Sequence, residues 1–230
     1  GFDLTMEDVV VDKLLGLYPT IDTLIPMLRS FEGMLNCSVA AQAKLDSTMS
    51  IELPTLNAAC SLSGRDLVLL DGETFAEISK KLMFKNKKRN VIDSMYVDLI
   101  IKDNQIEVFP FLLEMDRYKA AVGGTHNLDM TFNYHISVLK SPVPFKLGID
   151  VSGNMDDFKY KITSPKYKDL FKPSKKGEFS QAPINLRQSF YEALRESINV
   201  ASKPFIDKKE TDHTLNKTAP PSINKNDSIQ

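Results

Sequence analysis

The chain has 230 residues, 42% of them hydrophobic and 26% charged, with a formal net charge of −1 at pH 7. That is enough chain for one sizeable core or two small ones, and a charge near zero sets up no global field toward nucleic acid or an anionic membrane. Trp is absent, no apolar run reaches the roughly 18 residues of a bilayer-crossing helix, and the start Gly1-Phe2-Asp3-Leu4 lacks the basic and apolar regions of a secretory signal.

Residues 1–33 read as a helical lead-in. Ile21, Leu24, Ile25 and Leu28 recur at i, i+3, i+4 and i+7. Pro19, Thr20 and Asp22 suit a helix start and Gly33 a stop. From Met34 the period changes to two, with Val39, Ala41, Ala43 and Leu45 alternating with Ala40, Gln42 and Lys44. Residues 58–70 form a second strand-like run. Phe75, Ile78 and Leu82 predict a short helix over 72–83, capped by Asp71 or Thr74, before the basic loop 85–90.

The cysteines, Cys37 and Cys60, fall in the first two strands. Two are too few for a disulfide scaffold or a metal site, and they read as small buried hydrophobes. If the two strands form a hairpin turning near Ser47-Met49, the thiols face each other, and an oxidising compartment would allow a bond.

The block 95–163 is the most regular. Met95, Val97, Leu99 and Ile101 alternate with Tyr96, Asp98, Ile100 and Lys102 up to a two-residue turn at Asp103-Asn104. The return strand holds Ile106 and Val108, and Pro110 marks an edge, bulge or bend. Tyr118, Ala120 and Val122 follow, and Gly123-Gly124 break the run as a turn or bulge. Leu128, Met130, Phe132, Tyr134, Ile136 and Val138 then face one way, and Asn127, Asp129, Thr131, Asn133, His135 and Ser137 the other. Phe145, Leu147, Ile149 and Val151 repeat the pattern, as do Phe158, Tyr160 and Ile162. Short turns between alternating strands imply an antiparallel meander, since parallel pairs need long crossovers. The expected fold class is α+β and β-dominated: a curved antiparallel sheet over 34–165 whose apolar face is covered by helices. Charges at Phe132 or Tyr134 are expected to unfold it, and charges at Thr131 or His135 to be tolerated.

Beyond Pro165 the composition shifts. Residues 166–182 read as a linker, 183–202 as an amphipathic helix with Leu186, Phe190, Leu194 and Ile198 on one side, and 203–230 as a flexible polar tail. That helix could seal the apolar sheet face.

The chemistry-bearing motifs are sparse. Gly123-Gly124 opens a strand and not a helix, so a phosphate-cradling loop is missing. His126, His135 and His213 are scattered and read as solvated surface residues, with 126 opposite in parity to 135. No serine sits in a nucleophile elbow. Neither a catalytic residue, a metal site nor a cofactor is assigned, and the chain reads as non-enzymatic. Lys159, Lys161, Lys166, Lys168, Lys172, Lys175 and Lys176 read as a solvated cluster or, alternatively, as contacts to anionic head groups.

A set of these units resembles the C-terminal region of AsmA-family proteins. They are Leu62-Ser63-Gly64-Arg65-Asp66-Leu67, the helix end Lys81-Leu82-Met83-Phe84, the strand–turn–strand unit from Val97 through Asp103-Asn104 to Pro110-Phe111, Gly124-Thr125-His126-Asn127-Leu128-Asp129, and the closing Leu147-Gly148-Ile149-Asp150-Val151-Ser152-Gly153. The resemblance covers roughly 34–165. It implies a periplasmic envelope protein linked to outer-membrane biogenesis, anchored by an N-terminal segment outside this chain. Relatives such as TamB curl long sheets around an apolar groove that guides lipid. The expected partners are therefore lipid or other envelope components, with Leu128, Met130, Phe132, Tyr134, Ile136 and Val138 as the candidate lipid-facing residues. The alternative is a protein-interaction or structural module with a filled core.

Overall fold

The computed structural model describes residues 1–17, 21, 24, 26–69, 90–115, 118–141, 146–154, 157–171, 173, 192 and 194–196. Period-two sequence becomes strand throughout: β1 (Phe2–Val10), β2 (Phe31–Glu32), β3 (Met34–Gln42), β4 (Asn57–Leu69), β5 (Asn90–Lys102), β6 (Gln105–Met115), β7 (Tyr118–Asn127), β8 (Phe132–Lys140), β9 (Leu147–Gly153) and β10 (Phe158–Thr163). They make one open antiparallel sheet in the order β1-β3-β4-β5-β6-β7-β8-β9-β10, with β2 paired to β4 off that path. A helix α1 (Val11–Leu17) and a 3-10 turn Pro26–Ser30 lie between β1 and β2.

The turns explain the topology. Asp103 and Asn104 have φ of 53° and 62° between the paired Lys102 and Gln105. Two positive φ values fit the right-handed twist of the flanking strands, which ordinary type I turns would splay. In β6, Val108 pairs with Gly124 and Phe111 with Val122, so Phe109 and Pro110 bulge opposite Gly123 alone. A Cβ on Gly123 would lie 2.9 Å from the Pro110 backbone. The glycine is therefore fixed by the close approach of the bulge, and Pro110, having no N–H, suits a position outside the ladder.

Three expectations are corrected. Residues 1–33 are not uniformly helical: Phe2–Val10 is a strand paired to β3. Phe2, Leu4 and Met6 alternate with Asp3, Thr5 and Glu7, a short signal beside the stronger 3.6-period stripe. Next, the glycine doublet does not end a strand. β7 runs through it to Asn127, and the reversal falls at 128–131. There Met130 N–H donates to Asn127 O (3.0 Å), Thr131 N–H donates to the Asp129 carboxylate (3.0 Å), and Met130 takes φ of 70°. Leu128 and Met130 thus belong to the turn. Finally, the start of the supposed linker is packed: Phe171 is 1% exposed.

The sheet has two unlike faces. On the front, Leu35, Cys37 and Ala41 of β3 and Ala58, Cys60 and Leu62 of β4 meet Met95, Val97, Leu99 and Ile101 of β5, then Ile106, Val108, Phe111 and Tyr134. Val11 and Leu14 of α1 and Leu28 of the 3-10 turn belong to the same cluster. Each fully buried aliphatic side chain there stabilises the fold by about 1.5–3 kcal/mol. On the back, a smaller cluster joins Leu112, Ala121, Leu139 and Phe171, with Tyr167 against it. Leu139 lies on that side by alternation with Ser137 and His135, next to the step in the β7–β8 register from Ala120↔Val138 to Lys119↔Lys140. The expected helix at 72–83, Phe145, the rest of the expected linker beyond 173 and the tail 203–230 lie outside the described residues, as does most of 183–202.

Candidate functional site

Of the six candidate lipid-facing residues, Phe132, Tyr134, Ile136 and Val138 share the front face of β8. Tyr134 and Val138 are 8% and 4% exposed. Phe132 and Ile136 are half-buried, as are Leu128 and Met130 in the turn, and Leu128 and Phe132 pack on the main cluster. Registers carry this face outward. Val122, Ile136, Ile149 and Ile162 form one cross-strand row, and Tyr134, Val151 and Tyr160 another. Ile149 and Val151 are both 4% exposed, whereas Tyr160 is 40% and Ile162 70% exposed on the outermost strand. The apolar front thus runs from closed core to open edge within two strands.

The histidines overturn the surface expectation while keeping its parity. His126 is 4% exposed on the front and His135 3% exposed on the back. His126 Nε2 lies 2.6 Å from Leu24 O and Nδ1 2.8 Å from the Tyr134 hydroxyl. A carbonyl only accepts, so Nε2 carries the proton and Nδ1 accepts from the tyrosine. Burial holds the His126 imidazole below its usual range, against the opposing pull of the Leu24 bond. Burial likewise pushes the Tyr134 phenol up.

On the back face His135 Nδ1 is 2.6 Å from Asp150 and Nε2 2.9 Å from Ser137 Oγ. This is the bonding order of an acyl-transfer triad, but every atom of it is committed elsewhere. Lys166 N–H donates to His135 Nε2 (3.0 Å), and Tyr167 N–H donates to Ser137 Oγ (3.0 Å). Ser137 is 0% exposed, and the Tyr167 ring meets the imidazole edge-on at 5.1 Å. The cluster clamps residues 164–167 to the sheet, leaving the hydroxyl no room to meet a substrate. Gly148 sits under the same strap, where a Cβ would come within 2.3 Å of Ser164 O. Lys166 Nζ, 2.7 Å away, and then His135 hold the Asp150 carboxyl below the usual carboxylate range. A carboxylate at position 135 would face Asp150, so the expected tolerance of charge there does not hold. Thr131, by contrast, is exposed. Sequence parity separated the two histidines correctly. It could not show burial on the back, because the covering Tyr167 and Phe171 lie in a stretch whose lysines and prolines read as linker.

Cys37 and Cys60 face each other as inferred. β3 and β4 pair antiparallel, and the two sulfurs lie 3.8 Å apart as free, buried thiols. Their mutual hydrogen bond lowers the Cys37 thiol and, with burial, raises Cys60.

At the β1 end the back face is hydroxylated, with Ser61 donating to Asp98 (2.6 Å) and Thr5 Oγ1 3.4 Å from Ser38 Oγ. These residues line a groove of about 440 Å³ together with Glu192 and Arg195. Arg195 Nε donates to Asp3 (2.5 Å). The described part of the C-terminal helix therefore meets the back face, opposite the apolar front it was expected to seal. Among the described residues no group of three or more His, Cys, Asp or Glu is placed to hold a metal ion, and no helix is long and apolar enough to cross a membrane. Comparison with protein-family models, curated proteins and solved structures finds no match.

Proposed function

We propose that this chain is a non-enzymatic domain of the cell envelope, akin to the AsmA C-terminal region and exposed to the periplasm, that guides acyl chains along the open part of its apolar sheet face. The observation that carries the reading is the front face between β8 and β10, where buried Ile149 and Val151 pass directly into Tyr160 and Ile162, 40% and 70% exposed. Acyl chains need a long, dry, non-directional surface of this kind and few hydrogen bonds. In this reading α1, with Leu24 and Leu28, covers the β3–β7 part of the front, which holds no lipid, and lipid contact is confined to the β8–β10 end. Phe132 and Ile136 of the candidate set keep that role, whereas Tyr134 and Val138 support it from within the core.

A second reading is favoured by the same low exposures at Tyr134 and Val138: a filled core whose edges dock other envelope proteins. Native mass spectrometry of the full chain with oleate separates the two. Retained acyl chains that are lost in an Ile136→Asp/Ile162→Asp double variant are expected. A full chain that retains none, while folded by circular dichroism, sinks the lipid reading and leaves the interaction module.

A further inference from the structure

The two ends of the sheet carry matching chemistry. In β10, Phe158, Tyr160 and Ile162 point to the front and Lys159 and Lys161 to the back. In β1, Phe2, Leu4 and Met6 pair with Ala41, Val39 and Cys37 and so share the front, while Asp3 and Thr5 share the back, and Glu7, at the register shift between Met6 and Val9, lines the same groove as Thr5. Both strands expose their apolar side: Phe2 is 46% and Leu4 40% exposed, beside the values for Tyr160 and Ile162. Neither strand has a second neighbour among the described residues. One edge is therefore apolar in front and basic behind, the other apolar in front and acidic behind.

We infer that β10 of one copy of this chain pairs with β1 of the next, extending the sheet from molecule to molecule. Direction follows from topology. Nine strands lie on the path from β1 to β10, and each neighbouring pair is antiparallel, so the two edges run the same way. Joining them with the front faces aligned gives a parallel junction, which is head-to-tail and closes a ring or grows as an open chain. In the parallel register that sets Lys159 beside Asp3, whose other contact is Arg195, and Lys161 beside Thr5 and diagonal to Glu7, the front faces bring Phe158, Tyr160 and Ile162 against Phe2, Leu4 and Met6.

The charges also say which pairing is barred. Lysines on an edge usually block strand addition. A symmetric β10–β10 contact centred on Tyr160 would set Lys159 opposite Lys161 twice, and like charges directly opposite are destabilising. The same lysines are complementary to an acidic strand. Glu7, Lys159 and Lys161 are exposed, so the charge contribution is screened and falls with salt. A single six-residue edge buries less than the roughly 1,200 Å² of a standard stable interface, so weak association that grows with concentration is expected. The inference does not depend on lipid binding, and its test is run without lipid.

Sedimentation velocity of the full chain from low to high micromolar concentration tests it, beside two charge-reversed variants. One is Lys159→Glu/Lys161→Glu; the other is Thr5→Lys/Glu7→Lys, which spares the Asp3–Arg195 pair. The unaltered chain should associate with rising concentration, less so at high salt. Each variant alone should stay monomeric, because its two edges then repel. An equimolar mixture should regain association, because each altered edge now meets an opposite charge on the other variant. Circular dichroism checks that both variants fold, as expected for exposed edge substitutions. A monomeric unaltered chain over the whole range, a variant that associates as before, or a mixture that stays monomeric would each overturn the proposal.

Discussion

β8 and β10 carry one apolar pattern in two settings. Phe132, Tyr134 and Ile136 repeat as Phe158, Tyr160 and Ile162, the same residue types at the same spacing and on the same front face. Yet Tyr134 is 8% exposed and Tyr160 40%. Position in the sheet accounts for the difference, since β8 is flanked by β7 and β9 and Tyr134 joins the main cluster, whereas β10 is the end strand, and the residues between the apolar ones match those positions. Asn133, His135 and Ser137 are compact groups able to bond with a covering strap, and two of them are buried beneath Lys166 and Tyr167. Lys159 and Lys161 need their ammonium groups in water, so β10 cannot be covered behind. The apolar half of an alternating strand tells which face it uses, and the polar half tells how near the sheet's edge it lies.

The sharpest way to break this comparison is one substitution at equivalent sites. Tyr134→Asp would bury a carboxylate among apolar side chains and also leave His126 Nδ1 without its donor. An unpaired buried polar group costs about 1–3 kcal/mol and a charge more, so the domain should lose most of its marginal stability or fail to fold. Tyr160→Asp should leave the urea midpoint nearly unchanged. Equal midpoints would show that the two strands are buried alike.

The same contrast marks what was legible in the sequence. The antiparallel meander, the Asp103-Asn104 turn, the bulge near Pro110 and the facing cysteines all follow from local signals: period two, paired positive-φ residues, a missing N–H, and a hairpin placing two strands side by side. Strand β1 was hidden because six alternating residues beside a helical stripe carry little weight. The back-face clamp was illegible for a different reason. Its parts, His135, Ser137, Asp150 and Lys166, are ordinary polar residues on three separate elements, and only the strap's path makes them a unit. Leu128 and Met130 were misplaced because alternation continues by chance through a turn whose Asn127 and Asp129 were counted as outward strand positions.

A smaller effect comes from acid, and it should fall on the β8 side. Burial depresses the His126 imidazole, so the unfolded chain takes up a proton more readily than the folded one. Stability is then full above the unfolded imidazole value of about 6.5 and declines as pH drops through it. Asp150 acts in a lower window. Its carboxyl is depressed by Lys166 and His135, so its contribution persists above the unfolded carboxylate value and is lost as pH falls through the folded one. β10 carries neither group. Hydrogen exchange followed from pH 7.5 to 5.5, corrected for intrinsic rates, should show protection lost first around β7 and β8, at His126 and Tyr134. Uniform loss across the sheet, or none, would mean that the His126 bond to Leu24 outweighs its burial.

The smallest effect is expected at Ile162, and its smallness is informative. At 70% exposure the side chain has little contact to lose, so Ile162→Asp should change stability by no more than about 0.5 kcal/mol, as surface substitutions usually do. A carboxylate there also breaks the exposed apolar strip on an edge strand, which is the feature that invites strand addition. Solubility at high concentration should therefore rise while the thermal midpoint stays put. Ile149→Asp, one strand inward in the same cross-strand row, should do the opposite, since Ile149 is 4% exposed and a charge placed there is desolvated. A large midpoint drop for Ile162→Asp would place Ile162 in a packed interface rather than on an open edge.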